Sequence, residues 1–170
     1  KITLHLYHFF YSFDGLVCLA LLIPPYLMIN RARFPKFGTM KKILLIEDDP
    51  LLCWLLEKIL MKKYEVTVMN DGNEAWNWLS SNNIPDIIVS DLKMPSLGGL
   101  ELLENITSDE NLKHIPFIIH SGYEEAGKRK QCLDLGAFSY LVKPFEPEFL
   151  VSEVERAIES RNENILADNK

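Results

Sequence analysis

Apolar residues in this chain come in short unbroken runs separated by stretches of helical spacing. Ile43-Leu44-Leu45-Ile46, Ile87-Ile88-Val89 and Phe117-Ile118-Ile119 are apolar at every position and are flanked by polar or turn-forming residues. Runs of this kind are strands buried on both faces, the mark of a parallel sheet. From Met40 onward the pattern predicts strands over 42–46, 65–69, 86–90, 116–120 and 138–142, each followed by a helix. Asp49 caps the first helix, with Pro50 at its first position. Leu51, Leu52, Leu55, Leu56, Ile59 and Leu60 form its inner face, and Lys62 and Lys63 lie in its last turn. Asp71 with Glu74 forms a capping box for the second helix. Leu100, Leu103 and Ile106 mark one face of the third. Gly136 stops the fourth, and Pro147 opens a fifth carrying Leu150, Val151, Val154 and Ile158. Five strands alternating with five helices predict an α/β domain, a doubly wound parallel sheet with helices on both faces.

Composition changes at Met40. Before it, an apolar run from Gly15 to Ile29 is broken by Pro24-Pro25 and preceded by Asp14. This run is shorter than the ~20 residues of a membrane-spanning helix. It lacks the basic start and small-residue end of a signal peptide. Met40-Lys41-Lys42-Ile43 reads as an ordinary start leading into the first strand. Residues 1–39 are therefore expected to be an extension outside the functional domain, with a weak membrane anchor as the alternative, its cations Arg31, Arg33 and Lys36 on the cytoplasmic side. The functional domain is expected over 40–160, with 161–170 a frayed polar tail.

Charge narrows the function further. The chain carries −6 overall, but residues 1–39 carry +3, which leaves −9 in residues 40–170. That balance argues against direct nucleic-acid binding. The three cysteines, Cys18, Cys53 and Cys132, show no C-x-x-C spacing. Cys53 and Cys132 fall in amphipathic helices and are expected to be buried free thiols in the cytoplasm.

Chemistry concentrates at the ends of three strands. Asp91 closes Asp86-Ile87-Ile88-Val89-Ser90-Asp91, Glu47-Asp48-Asp49 follows the first strand, and Lys143 follows the fifth. Ligands and substrates of open α/β sheets sit at this carboxyl edge. Gathered carboxylates call for a cation, and Mg2+ suits oxygen ligands supplied by one or two carboxylates, waters and a phosphate. Asp91 can accept a phosphoryl group as a carboxylate nucleophile, a transfer that needs mainly positioning and charge compensation. Lys143 supplies part of that compensation, and Ser121 adds a hydroxyl at the same edge.

Five segments carry a resemblance: Ile-Leu-Leu-Ile-Glu-Asp-Asp-Pro (43–50), Pro-Asp-Ile-Ile-Val-Ser-Asp-Leu-Lys-Met-Pro (85–95), Gly-Leu-Glu-Leu-Leu (99–103), Pro-Phe-Ile-Ile-His-Ser-Gly (116–122) and Tyr-Leu-Val-Lys-Pro-Phe (140–145). In order and spacing, residues 40–160 resemble the receiver domain of two-component response regulators of the single-domain type. The resemblance implies a flavodoxin-like fold with strand order 2-1-3-4-5. It makes Asp91 the phosphoacceptor, with a histidine kinase or phosphotransfer protein as donor. It assigns Mg2+, or Mn2+ in its place, to Asp91, Asp48, Glu47 and the backbone carbonyl of Lys93, with Asp48 the direct ligand and Glu47 acting partly through water. Ser121 becomes the hydroxyl that bonds the phosphoryl group, Lys143 the cation and Tyr140 the aromatic switch. The Lys143-Pro144 bond is commonly cis in this family. The modified state alters binding of a downstream protein through the face of the fourth helix, fifth strand and fifth helix. No output domain is recognised in the chain, which is expected to be a switch rather than an enzyme, though one that assists its own phosphorylation and dephosphorylation.

Ser121 replaces the more usual Thr, and Gly98 a frequent Asp. Lys93 and Tyr123 border the path of attacking water and are expected to slow hydrolysis of the acyl phosphate. Two other functions fit parts of the pattern. An aspartate-nucleophile phosphatase needs a second carboxylate two residues past the nucleophile, where Lys93 stands. A receiver-like module that takes no phosphate would not need Asp91, Asp48 and Lys143 together. Asp49, Asp71, Asp86 and Asp109 read as caps or turn residues, His120 as a packing residue, and Trp54, Trp76 and Trp78 as core or flank.

Overall fold

The computed structural model describes residues 40–122 and 127–168. The extension 1–39, Tyr123 and the last two residues of the expected tail lie outside them. Strands β1 (Lys42–Ile46), β2 (Glu65–Met69), β3 (Ile87–Asp91), β4 (Phe117–Ser121) and β5 (Ser139–Val142) alternate with helices α1 (Pro50–Leu60), α2 (Gly72–Ser80), α3 (Gly99–Ser108), α4 (Lys128–Asp134) and α5 (Pro147–Asp168). All neighbouring strands are parallel, in the order β2-β1-β3-β4-β5. This is the flavodoxin-like arrangement that the resemblance implied. No helix among the described residues is long and apolar enough to cross a membrane.

The doubly apolar strands face two cores. Leu44, Ile46, Ile88, Phe117 and Ile119 pack under α2, α3 and α4. Ile43, Leu45, Val89, Ile118 and Leu141 point the other way, under α1 and α5. Side chains alternate between faces along each strand, so successive strand residues face opposite layers.

The local signals act as the sequence indicated, with three differences. Asp49 Oδ1 accepts from the N–H groups of Leu51 and Leu52, both at 2.8 Å. Asp71 Oδ1 accepts from Glu74 N at 2.8 Å while Glu74 returns a carboxylate oxygen to Asn70 N at 2.9 Å. Gly136, at φ 102°, ends α4 in the left-handed region that glycine enters at little cost. The inner face of α1, however, is Cys53, Leu56 and Leu60, while Leu51 and Leu55 are exposed. Lys62 and Lys63 fall beyond the end of α1, whose last turn carries Lys58. The expected tail is helical to Asp168, because Arg161 is anchored: its guanidinium donates to the Pro85 carbonyl at 2.9 Å and lies 3.6 Å from Asp86.

Asp86 ties the lower edge of the sheet together. It accepts from the Lys42 backbone N–H at 2.9 Å and from Lys41 Nζ at 3.0 Å. Partial burial alone would raise its pKa, but the Lys42 N–H and the cations Lys41 and Arg161 outweigh it and hold the carboxyl below its ordinary value. A depressed folded pKa gives stability that is present above the unfolded carboxylate range and lost as pH falls through the folded pKa. Asp86→Ala is expected to cost about 1–2 kcal/mol at neutral pH. In urea unfolding curves the gap from the unsubstituted chain should close as pH falls below about 4. A gap that persists undiminished in acid would show that packing, not charge, gives Asp86 its role.

Candidate functional site

The strand register builds the site. Leu45 pairs with Val89, and Val89 with Ile118, all on the α1/α5 face. Two residues further along β1 and β3, the same face carries Glu47 and Asp91. His120 on β4 pairs with Asp91, and Leu141 on β5 pairs with His120 and leads two residues on to Lys143. The alternation that buries the aliphatic layer thus sets two carboxylates, an imidazole and an ammonium in one row at the carboxyl edge.

Lys143 Nζ bridges the acids, donating to Glu47 Oε2 at 3.0 Å and to Asp91 Oδ1. The other oxygens are also held. Asp91 Oδ2 accepts from the Lys93 backbone N–H at 2.6 Å, and Glu47 Oε1 accepts from Asp49 N at 3.2 Å. Glu47 and Asp91 are 2% and 6% exposed. Burial by itself would raise the Asp91 pKa, but the His120 ring and the Lys143 ammonium outweigh it and hold the carboxyl below its usual value. Burial would likewise lower Lys143, and the two carboxylates outweigh it and hold the ammonium above its usual value. Asp91 is thus an anion, not a neutral acid, at ordinary pH, as a nucleophile must be.

Ser121, the buried last residue of β4, offers its backbone carbonyl to Lys143 N at 2.8 Å. The Lys143-Pro144 peptide is cis. Tyr140 is buried in the core beneath α2, α3 and α4, so its ring is turned inward. Asp48 is exposed. Among the described residues the ligand atoms that converge are those of Glu47, Asp91 and His120, with Asp48 not in that group. The resemblance makes Asp48 the direct ligand, with Glu47 acting partly through water, and the sequence reads His120 as packing; the structure brings Glu47 and His120 beside one another and Asp91. Strand alternation places Glu47 with Leu45 and Ile43 on the site face, and it places His120 with Ile118. Oxygen donors from the two buried carboxylates, Glu47 and Asp91, fit the hard-ion chemistry of Mg2+. Lys93 has an exposed side chain.

Gly99, the first residue of α3, has a role at the site that the sequence does not disclose. A Cβ at that position would overlap the Asp91 carbonyl oxygen and come 3.1 Å from Ser90 Oγ. Its N–H bonds the Leu92 carbonyl at 3.0 Å. The backbone of α3 therefore packs directly against the backbone that carries Asp91.

Comparison with known proteins agrees with this geometry. A regulator from Guillardia theta, the probable transcriptional regulator ycf27, is 31% identical over 134 residues, covering 78% of this chain and 51% of that protein. The DNA-binding transcriptional regulator NtrC of Salmonella typhimurium is 35% identical over 114 residues, covering 66% of this chain and 24% of that protein. The chain thus spans from about half to a quarter of the length of these relatives. Among solved structures, the receiver domain of the sensor histidine kinase PA1611 from Pseudomonas aeruginosa, with magnesium in its active-site cleft, has a TM-score of 0.65. It is 31% identical, covering 71% of this chain and 99% of that one. The chemotaxis response regulator CheY4 of Vibrio cholerae has a TM-score of 0.64 at 29% identity, covering 70% and 99%. Residues 43–155 match the response regulator receiver domain, in which an acidic site binds Mg2+ and phosphoryl groups arrive from histidine kinases or phosphotransfer proteins. With that match spanning most of the chain, and with the five-strand order and the acid–lysine row in place, this protein belongs to the response regulator receiver family.

Proposed function

We infer that this chain is a phosphorylation-controlled switch whose phosphoacceptor is Asp91. The observation that carries the reading is the buried Asp91 carboxylate held ionised against Lys143 at the end of β3. A donor phosphohistidine loses its phosphoryl group as the P–N bond breaks and a P–O bond to Asp91 forms, the donor imidazole retaining the electron pair. Lys143 offsets negative charge on the phosphoryl oxygens, and Ser121 offers a hydroxyl to one of them. Mg2+, when bound by Asp91 with Glu47 or Asp48 and the Lys93 carbonyl, supplies further compensation.

Two surfaces fit the partners. Beside the site, Leu52, Leu55, Ile59, Phe145 and Pro147 line a groove that reaches Lys143, and the neighbouring Leu51 and Trp54 are 76% and 57% exposed. An apolar groove that reaches Lys143 suits an amphipathic donor helix. Engagement of Ser121 by the phosphoryl group is transmitted along β4 and β5 to Tyr140, shifting the α4–β5–α5 face that a downstream protein reads. The transcriptional regulators similar to this chain contain much more sequence than it matches, so its output is assigned to another protein or segment.

Incubating the chain with a small phosphodonor and Mg2+ tests the reading. One acid-stable, base-labile phosphoryl group per chain is expected, absent from Asp91→Asn. Catalytic turnover of the donor would point to a phosphatase, and no label to a module that takes no phosphate. The phosphoryl lifetime tests a second feature. Lys93→Asn combined with Tyr123→Glu should speed decay several-fold, about 1 kcal/mol in barrier. Unchanged or slower decay would sink the role given to these two side chains.

A further inference from the structure

His120 is the one member of the acid–lysine row that phosphoryl acceptance does not use. Its side chain is 0% exposed, and neither ring nitrogen has a hydrogen-bond partner. Buried polar atoms are nearly always paired, and an unpaired one calls for a ligand or an ion. Nδ1 is aimed at the site, 3.4 Å from Asp91 Oδ1 and 3.6 Å from Glu47 Oε2. These are the same two oxygens that converge on the Lys143 ammonium. One cation thus already sits where the two carboxylates meet, and the imidazole Nδ1 lies close to the same two oxygens without a hydrogen bond to either.

We propose that Glu47, Asp91 and His120 form a three-ligand site for Zn2+, which replaces the Lys143 ammonium and blocks phosphoryl acceptance at Asp91. The donor set selects the ion. Imidazole nitrogen suits Zn2+ and other late transition ions, whereas Mg2+ is served by oxygen alone. The spacing agrees. Two ligand atoms ~2.0–2.1 Å from Zn2+ at tetrahedral angles stand ~3.3–3.4 Å apart. Ligands on an octahedral Mg2+ stand closer, at ~2.9 Å. The two separations from His120 Nδ1, 3.4 and 3.6 Å, lie nearer the larger value, and all three ligand atoms fall within 4.8 Å of one another. Three protein ligands leave a fourth tetrahedral position for water.

Inhibition follows from the atoms involved. Zn2+ engages Asp91 Oδ1, while Oδ2 already accepts the Lys93 N–H. Lys143 is then expelled from its place between the carboxylates and no longer offsets charge on the phosphoryl oxygens. Alternation and register on β4 alone put the imidazole there, so the site needs no rearrangement of the sheet. The inhibitory half of the proposal rests on Asp91 being the phosphoacceptor.

Calorimetric titration of the full chain with Zn2+ and separately with Mg2+ tests the site, with circular dichroism to show that each variant is folded. The unsubstituted chain is expected to bind one Zn2+ in a manner that depends on His120. His120→Leu should lower the preference for Zn2+ over Mg2+ by at least about tenfold, and Glu47→Gln should weaken Zn2+ binding as well. Equal Zn2+ affinity in His120→Leu, a parallel fall for both ions, or no Zn2+ binding at all would overturn the site. In Mg2+-supported labelling by a small phosphodonor, Zn2+ should suppress the label in the unsubstituted chain and not in His120→Leu. A chain that binds Zn2+ through His120 but never labels sinks the phosphoacceptor reading and, with it, the inhibition. A chain that labels while its Zn2+ binding ignores His120 sinks the metal site alone.

Discussion

Lys143→Ala should slow phosphoryl acceptance at Asp91 by about 100- to 1000-fold, the loss that follows removal of one preorganised charge or donor from a transition state. The same substitution should destabilise the fold. Lys143 is the ammonium that separates Glu47 from Asp91, and it is itself only one-fifth exposed. Without it, two buried carboxylates face one another uncompensated. Breaking a fully buried pair costs about 3–5 kcal/mol, and partial exposure of the lysine brings the expected loss to about 2–3 kcal/mol.

The pH dependence has a definite sign. In the unsubstituted chain Asp91 has a depressed folded pKa. Its contribution is therefore present above the unfolded carboxylate range and lost as pH falls through the folded pKa. In Lys143→Ala the main cation has gone, the carboxylates repel, and the Asp91 pKa rises. The stability deficit should be largest near neutrality and shrink on acidification, where protonation relieves the repulsion. Adding Mg2+ at neutral pH should stabilise the variant more than the unsubstituted chain, because a cation that binds only the folded form shifts unfolding by mass action. Urea midpoints at two pH values, with and without Mg2+, measure both effects. A deficit independent of pH and Mg2+ would mean that Lys143 acts through packing of its stem.

The site was legible where one residue fixes its own neighbours, and obscure where a tertiary contact decides. Asp91 and Lys143 can be placed at the carboxyl edge because each stands at the end of a segment that reads as a strand. The sheet order followed from the alternation of elements and the resemblance. That Glu47 and His120 share the face of Asp91 is harder to read, although the signal is present. Counting in twos from Ile43 reaches Glu47, and from Ile118 reaches His120, on the face that holds Val89 and Asp91. That step needs the register between strands, which no single run contains. The inner face of α1 was misread for another reason. Pro50–Leu60 is apolar almost all round, so spacing alone does not choose between Leu51 with Leu55 and Cys53 with Leu56 and Leu60. Burial chose the second set; Leu55 lines the groove and Leu51 is exposed near it. Tyr123 lies outside the described residues, so its part in phosphoryl lifetime rests on sequence alone.

Gly99→Ala should be among the most damaging single methyl additions in the domain, and should also slow phosphoryl acceptance. Its φ lies outside the left-handed region, so the cost is not conformational; it comes from space. The added carbon would overlap the Asp91 carbonyl oxygen and press on Ser90 Oγ at 3.1 Å. Ser90 cannot swing aside freely, since its hydroxyl donates to that same carbonyl at 2.9 Å. Strand β3 is paired on both sides, and α3 is held by the buried Leu102, Leu103 and Ile106. Neither backbone can yield cheaply, so the expected loss is about 3 kcal/mol or more, at the upper end for overpacking. Gly72 provides the comparison. A Cβ there would overlap the Leu97 carbonyl, in the same loop but away from Asp91. Gly72→Ala should lose comparable stability, yet at a temperature where both variants are folded it should label faster than Gly99→Ala. Displacing a nucleophile by about 1 Å costs on the order of 100-fold in rate, and only Gly99 touches the backbone that aims it. Equal labelling rates in the two folded variants would show that Asp91 is positioned by Lys143 and the Lys93 N–H, and not by the packing of α3 behind it.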